Sequence, residues 1–138
     1  MQDVLNTNLM LLNLAAVMIF MVFSSLTTDM TGRWEKLGEK RVDRAMDHDR
    51  IVIGRVEGTF TKLKLIVRHS AINMHKMVVH YGNGEDQVIE IRQDIPKGGE
   101  SRVIDLSGKR RVIQSVDFWY DTKGLLNDKA IVELWGRH

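Results

Sequence analysis

Leu63-Lys64-Leu65-Ile66-Val67, then Ile72-Asn73-Met74-His75-Lys76-Met77-Val78-Val79-His80-Tyr81, then Gly82-Asn83-Gly84, decide the fold class of this chain. Leu63, Leu65 and Val67 recur at every second residue, the period that returns successive strand side chains to one face. The second run is rich in β-branched and aromatic residues, as strands prefer. Asn83-Gly84 then stands before another such run, a strong hairpin signal because Asn and Gly both tolerate positive φ.

The same pattern extends outward in both directions. Candidate strands cover 34–42, 50–53, 60–69, 72–81, 87–92, 102–106, 111–120 and 130–135. Val112, Val116, Phe118 and Tyr120 keep the period of two in the seventh. Lys97-Gly98-Gly99 and Ser107-Gly108-Lys109 punctuate the runs, and the sole proline, Pro96, precedes the first of these turns. Short strands at intervals of about ten residues, with no amphipathic helix between them, predict an all-β, antiparallel sandwich of about eight strands over residues 33–138.

Before Arg33 the chemistry changes. Residues 4–28 hold no charged side chain, and residues 9–26 form an apolar run of 18 in which only Asn13 is strongly polar. As a helix that run extends roughly 27 Å, close to the apolar thickness of a bilayer. A cleavable signal peptide needs a basic start, a shorter apolar core and a small-residue cleavage site. Residues 1–8 contain Asp3 and no Lys or Arg, and Ser24-Ser25-Leu26-Thr27-Thr28-Asp29 offers no A-x-A pattern. The expectation is one retained N-terminal transmembrane α-helix at 9–26, with a short tail at 1–8 and a polar hinge at 27–32. Asn13, Ala15, Ala16, Ser24 and Ser25 are its candidate helix-packing residues, small or able to bond across helices. Arg33, Trp34 and Lys36 would lie beside the lipid headgroups.

All 20 Lys and Arg lie at or beyond Arg33, with 16 of the 18 acids, so that part carries about +4. Acids alternate with bases, as in Glu39-Lys40-Arg41, which describes a mixed solvated surface and not a nucleic-acid interface. Cysteine is absent, so disulfides, thiolate metal sites and Cys nucleophiles are excluded.

Several stretches together carry a family resemblance. They are W-x-x-L-G-x-x-x-V at 34–42, D-R-I-V-I-G at 49–54, E-G-T-F at 57–60, Y-G-N-G-E at 81–85, S-R-V-I-D-L-x-G-x-x-R-x-I at 101–113 and V-E-L-W-G-R at 132–137. In this combination the chain resembles an uncharacterised family of small exported bacterial proteins, a domain of unknown function. The resemblance implies a compact β-sandwich sent across the inner membrane, usually behind a cleavable signal peptide. It implies no activity and supplies no catalytic residues. The leader departs from that pattern by reading as a permanent helix. By the positive-inside rule the basic residues after it would place the domain in the cytoplasm, but domains of this length cross largely regardless of charge. The resemblance favours a single-pass protein of the bacterial inner membrane with a periplasmic domain, the cytoplasmic side being the alternative.

Candidate chemistry is thin. Asp47-His48-Asp49 sets an imidazole between two carboxylates, yet strand neighbours point to opposite faces, and a polar turn is the simpler reading. His69, His75 and His80 lie on adjacent candidate strands, but His75 and His80 differ by five and fall on opposite faces, so a three-histidine metal site requires a bulge. Gly82-Asn83-Gly84 lacks the following helix that a phosphate loop needs and is followed by the acids Glu85 and Asp86, so it reads as a hairpin turn. Lys109-Arg110-Arg111 is a short basic cluster, read as a solvated strand end. Ser70, Ser101, Ser107 and Ser115 have no nucleophile-elbow context. Trp119 and Trp135 fall out of phase with Phe118 and Leu134 and are candidate outward-facing protein contacts.

These readings point away from an enzyme, with no cofactor, metal, nucleic acid or small-molecule substrate identified. The leading expectation is a membrane-anchored accessory or structural subunit of a larger membrane complex, for which a respiratory or photosynthetic assembly is a natural host. Its partners would be membrane lipid and other membrane-protein subunits. The alternative is an anchored periplasmic binding module for an envelope polymer or small ligand. A filament subunit is a third idea, disfavoured because the apolar run has no basic leader and no early acid.

Overall fold

Period-two alternation, interrupted where the core requires it, builds nine strands among the described residues. The computed structural model describes residues 32–42, 48–121 and 129–138. The strands are β1 Trp34–Arg41, β2 His48–Val52, β3 Thr59–Phe60, β4 Lys62–Arg68, β5 Ile72–Tyr81, β6 Asp86–Ile95, β7 Ile104–Asp105, β8 Arg111–Asp121 and β9 Ile131–Arg137. A single 3-10 turn, Arg55–Glu57, is the one helical element among the described residues. No helix among them is long and apolar enough to cross a membrane. The expected tail 1–8, anchor 9–26 with Asn13, Ala15, Ala16, Ser24 and Ser25, and hinge up to residue 31 lie outside the described residues.

Two antiparallel sheets form, in the orders β1-β9-β4-β7 and β2-β8-β5-β6, with β3 also paired to β8. Their inner faces share one apolar core. Leu63, Leu65 and Val67 of β4 and Val132 and Leu134 of β9 come from the first sheet. Met74, Met77 and Val79 of β5, Ile89 and Ile91 of β6, and Val116 and Phe118 of β8 come from the second. Gly136 is needed for this packing, since a Cβ there would stand 2.7 Å from Phe60 Cδ1 and 2.8 Å from Leu37 Cδ1.

The strand expected over 60–69 is two strands in different sheets. Phe60 pairs with Arg111 of β8, whereas Lys62 pairs with Arg137 of β9 and Thr61 N–H donates to Arg137 O at 2.8 Å. Phe60 and Leu63 are three residues apart and both wholly buried, which one regular strand does not permit. Bulges accommodate the same three-residue spacing elsewhere. Met74 and Met77 both face the core because the register shifts between Met74 and Lys76, at His75. Ile113 and Val116 both face it because the register shifts again opposite His80 and Tyr81. β2 starts at His48, so His48 and Asp49 are strand residues and not a turn.

The β5–β6 hairpin forms where expected, with a different turn chemistry. Gly84 N–H donates to Tyr81 O at 3.0 Å and only Gly84 takes positive φ, 89°. That is the glycine of a loop longer than two residues. The segment expected as a strand over 102–106 pairs only at Ile104–Asp105. Arg102 covers part of the long β6 edge instead, while Leu106 N–H donates to Thr61 O at 3.0 Å. Arg102 donates through Nη1 to Ile91 O and through Nη2 to Glu90 O, each at 2.5 Å, and Gln93 Oε1 accepts from Arg102 N–H at 3.0 Å. Filling those edge acceptors removes a template for pairing with another chain.

Candidate functional site

The two middle strands carry a matched pattern: Val116-Asp117-Phe118-Trp119 on β8 and Val132-Glu133-Leu134-Trp135 on β9. Alternation turns the Val and the Phe or Leu inward, and the acid and the indole outward. Each sheet therefore bears an acid and a tryptophan at the centre of its outer face.

On the β2-β8-β5-β6 sheet, strand register lays the outer residues in rows. His48, Trp119, Lys76 and Glu90 form one row, and Arg50, Asp117, Val78 and Val88 the next. Val52, Ser115, His80 and Asp86 form the third. Asp117 stands in the middle with its side chain only 5% exposed. Arg50 donates to it through Nε at 2.7 Å and through Nη2 at 2.8 Å, a bidentate fork. His80 Nε2 donates to Oδ2 at 2.6 Å while its Nδ1 donates to Asp86 Oδ1 at 2.7 Å. Both acceptors are carboxylates, so the two bonds are made together only when the ring is protonated on both nitrogens. His48 Nε2 lies 3.2 Å from Asp117 Oδ1, close enough to pair electrostatically but not aligned as a hydrogen bond.

These contacts set the titration of the group. The Arg50 hydrogen bonds hold the Asp117 carboxyl far below the usual carboxylate range, against the opposing effect of burial and with help from His80. The bond to Asp117 raises the His80 pKa, with Asp86 adding to it against desolvation. A carboxylate so acidic and so fully bonded is neither a general base nor a proton donor near neutral pH. Among the described residues no three His, Asp or Glu side chains are arranged to hold a metal ion.

Trp119 lies on this face, half-buried, with His48 stacked on it at 4.4 Å between centroids and 10° between planes. Lys76 Nζ sits 4.4 Å from its ring centroid. His48 and Lys76 come from the two flanking strands, so both faces of the indole are covered. The bulge brings His75 to this face as well, where it bonds Asp121 at 2.6 Å, while His69 is in the turn after β4.

The opposite outer face is organised around Glu133. Arg68 Nε approaches its Oε1 at 2.7 Å, Lys36 Nζ its Oε2 at 3.8 Å, and Trp135 Nε1 donates to Oε2 at 3.0 Å. Trp135 is thus half-buried and bonded to its own strand. Of the other residues singled out, Arg33 is exposed, and Trp34 opens β1 with Lys64 Nζ 4.5 Å from its ring. Lys36 pairs with Glu39 at 2.5 Å. Arg50, Asp117 and Glu133 escape a reading by motif, and His80 is singled out by sequence only together with His69 and His75. The one local signal for the two acids is their place two residues before Trp119 and Trp135.

Comparison with known proteins adds a family. No curated protein matches the sequence. The fold is similar to part of AlgX from Pseudomonas aeruginosa, at 11% identity and a TM-score of 0.48, covering 72% of this chain and 26% of that one. It is also similar to the SPBc2 prophage-derived protein YomS, at 14% and 0.41, covering 77% and 92%. A family 29 carbohydrate binding module is matched at 14% and 0.38, covering 75% and 79%. At scores below 0.5 such likenesses carry no weight for function. Sequence decides the matter: over residues 14–136 the chain matches DUF2541, a domain of unknown function, and it belongs to that family.

Proposed function

We propose that this protein is a non-enzymatic, membrane-anchored accessory subunit, and that it meets a partner protein of its assembly through the outer face of the β2-β8-β5-β6 sheet. One observation carries the reading. Asp117, the central acid of that face, is bonded to both Arg50 and His80, His80 is bonded in turn to Asp86, and His48 is stacked on Trp119, which leaves a shaped surface with its central acid already occupied. Around them Val52 is 73% exposed and Val88 61% exposed, beside an ordered indole, an arginine and two histidines. Rigid aromatic and arginine side chains with apolar neighbours are the composition of interface hot spots. The apolar run 9–26 supplies the anchor in this reading, with the domain in the periplasm of a bacterial inner membrane.

The test is purification of the full-length chain from its host in mild detergent. Val88→Glu or Trp119→Ala should strip a co-purifying protein, and Trp135→Ala on the opposite face should leave it bound. Recovery of the wild type only as a lone monomer sinks the proposal. The second reading, an anchored binding module, draws support from a separate feature: a recess at one end of the sandwich lined by two arginines.

A further inference from the structure

Where β5 turns into β6, a recess of about 430 Å³ is lined by Arg55, Tyr81, Gly82, Asn83, Arg111 and Val112. A smaller one of about 220 Å³ shares Arg55, Gly82 and Val112 and runs on past Gly54 and Gln114. The glycines make the space. Gly82 N–H donates to Val112 O at 2.9 Å, and a Cβ on Gly82 would stand 3.1 Å from Val112 Cγ1. Gly54, at φ 87°, turns the chain into the 3-10 turn that carries Arg55 to the wall.

Arg111 is a cation held in place. Its guanidinium lies 3.7 Å from the Tyr81 ring centroid, and its side chain is 15% exposed. Nη1 donates to Ser107 O at 2.8 Å, and Nη2 reaches Asn83 Oδ1 at 3.3 Å and Glu85 Oε2 at 3.5 Å. Arg55 is exposed, as are Lys109 and Arg110 in the adjoining loop, and no carboxylate among the described residues pairs with any of the three. Glu85, already bonded to Asn83 Nδ2 at 2.5 Å, and Glu57 on the turn are the nearby acids by sequence. One end of the sandwich thus combines a fixed guanidinium, three exposed cations paired with no carboxylate among the described residues, and an apolar floor of Tyr81 and Val112.

We propose that this recess binds a phosphate group, with Arg111 as the fixed ligand and Arg55 closing over it. Guanidinium forks match phosphate oxygens, and a tetrahedral oxyanion offers oxygens to two arginines reaching from separate elements. The phosphate comes either from a free ester or from a lipid headgroup. Val56, fully exposed beside Arg55, is positioned to distinguish them, since only a lipid surface would cover it. This inference is independent of the contact face on the β2-β8-β5-β6 sheet.

Full-length protein in a neutral detergent is titrated with inorganic phosphate and with glycerol 3-phosphate at constant ionic strength. Backbone amide signals of Gly82, Asn83 and Gly84 and the Arg111 side-chain signal report binding. A second arm places the protein in bilayer discs of phosphatidylcholine, with or without phosphatidylglycerol. Saturable shifts at these residues are expected in at least one arm, weakened roughly tenfold or more by Arg55→Ala. Arg55 is exposed, so that variant keeps the fold even if Arg111→Ala does not. Glu85→Gln should tighten binding. A response confined to phosphatidylglycerol discs and reduced by Val56→Ser assigns the lipid source; a response to the soluble phosphates assigns the free one. No shift beyond that of chloride in either arm, or shifts untouched by Arg55→Ala, overturns the proposal.

Discussion

The outer faces of the two sheets begin from nearly the same four residues and end as different surfaces. On β8, Asp117 is short and held close to the sheet by Arg50 directly opposite it and by His80 on the other flank. On β9, Glu133 is longer and is caught from the side by Arg68 and from its own strand by Trp135. The β8 face is built with imidazoles, so proton binding can loosen or tighten it. The β9 face pairs its acid with arginine and lysine, which stay charged across the physiological range. Equal sequence patterns therefore do not predict equal surfaces; the partners supplied by neighbouring strands decide.

The largest expected effect is on stability. Asp117→Ala removes three short hydrogen bonds at once, two from Arg50 and one from the less exposed His80, and should cost about 2–3 kcal/mol in urea unfolding. Glu133→Ala should cost about 1 kcal/mol, because Arg68 and Lys36 can turn to water. Equal losses would erase the distinction between the faces.

Next comes pH. The folded-state pKa of His80 is raised from 6.5, so its contribution is full below pH 6.5 and disappears as pH rises through the folded value. Asp117 is lowered from 3.8, so its contribution is full above pH 3.8 and disappears as pH falls toward the folded value. Both act together between about pH 4 and 6.5. Thermal unfolding of His80→Gln should therefore trail the wild type most near pH 5–6, by about 1 kcal/mol, and converge with it toward pH 9. A gap that is constant with pH would show that the imidazolium contributes nothing.

The smallest effect should come from the N-terminal segment. Replacing Asn13 or Ala16 with Leu should weaken co-purification of a partner and leave thermal unfolding of the domain unchanged. A fragment of residues 33–138 should unfold cooperatively by itself, since both sheets and their shared core lie within it. A fragment that stays unfolded would mean that a partner completes the sandwich.

Much of the fold was legible because burial on a sheet enforces a period of two. Even the interruptions left marks: Phe60 to Leu63, Met74 to Met77 and Ile113 to Val116 are odd spacings between core residues, and each is a sheet crossing or a bulge. Pairing was not legible. Asp117 meets Arg50 and His80 across 67 and 37 residues of chain, contacts set by which strands become neighbours. Local polarity suggested a turn at Asp47-His48-Asp49, but pairing of His48 with Trp119 and of Asp49 with Phe118 extends β2 through the last two. Arg102 has the spacing of a strand residue, and its side chain instead caps the edge of β6.

In the function we propose, one outer face meets a partner and the other does not. Hydroxyl-radical footprinting of host envelopes, set against the chain purified free of partners, separates the two faces. Trp119 and Val88 should react several-fold less in the envelope while Trp135 reacts equally in both preparations. Equal labelling of Trp119 in the two, or protection of Trp135 alone, would contradict it.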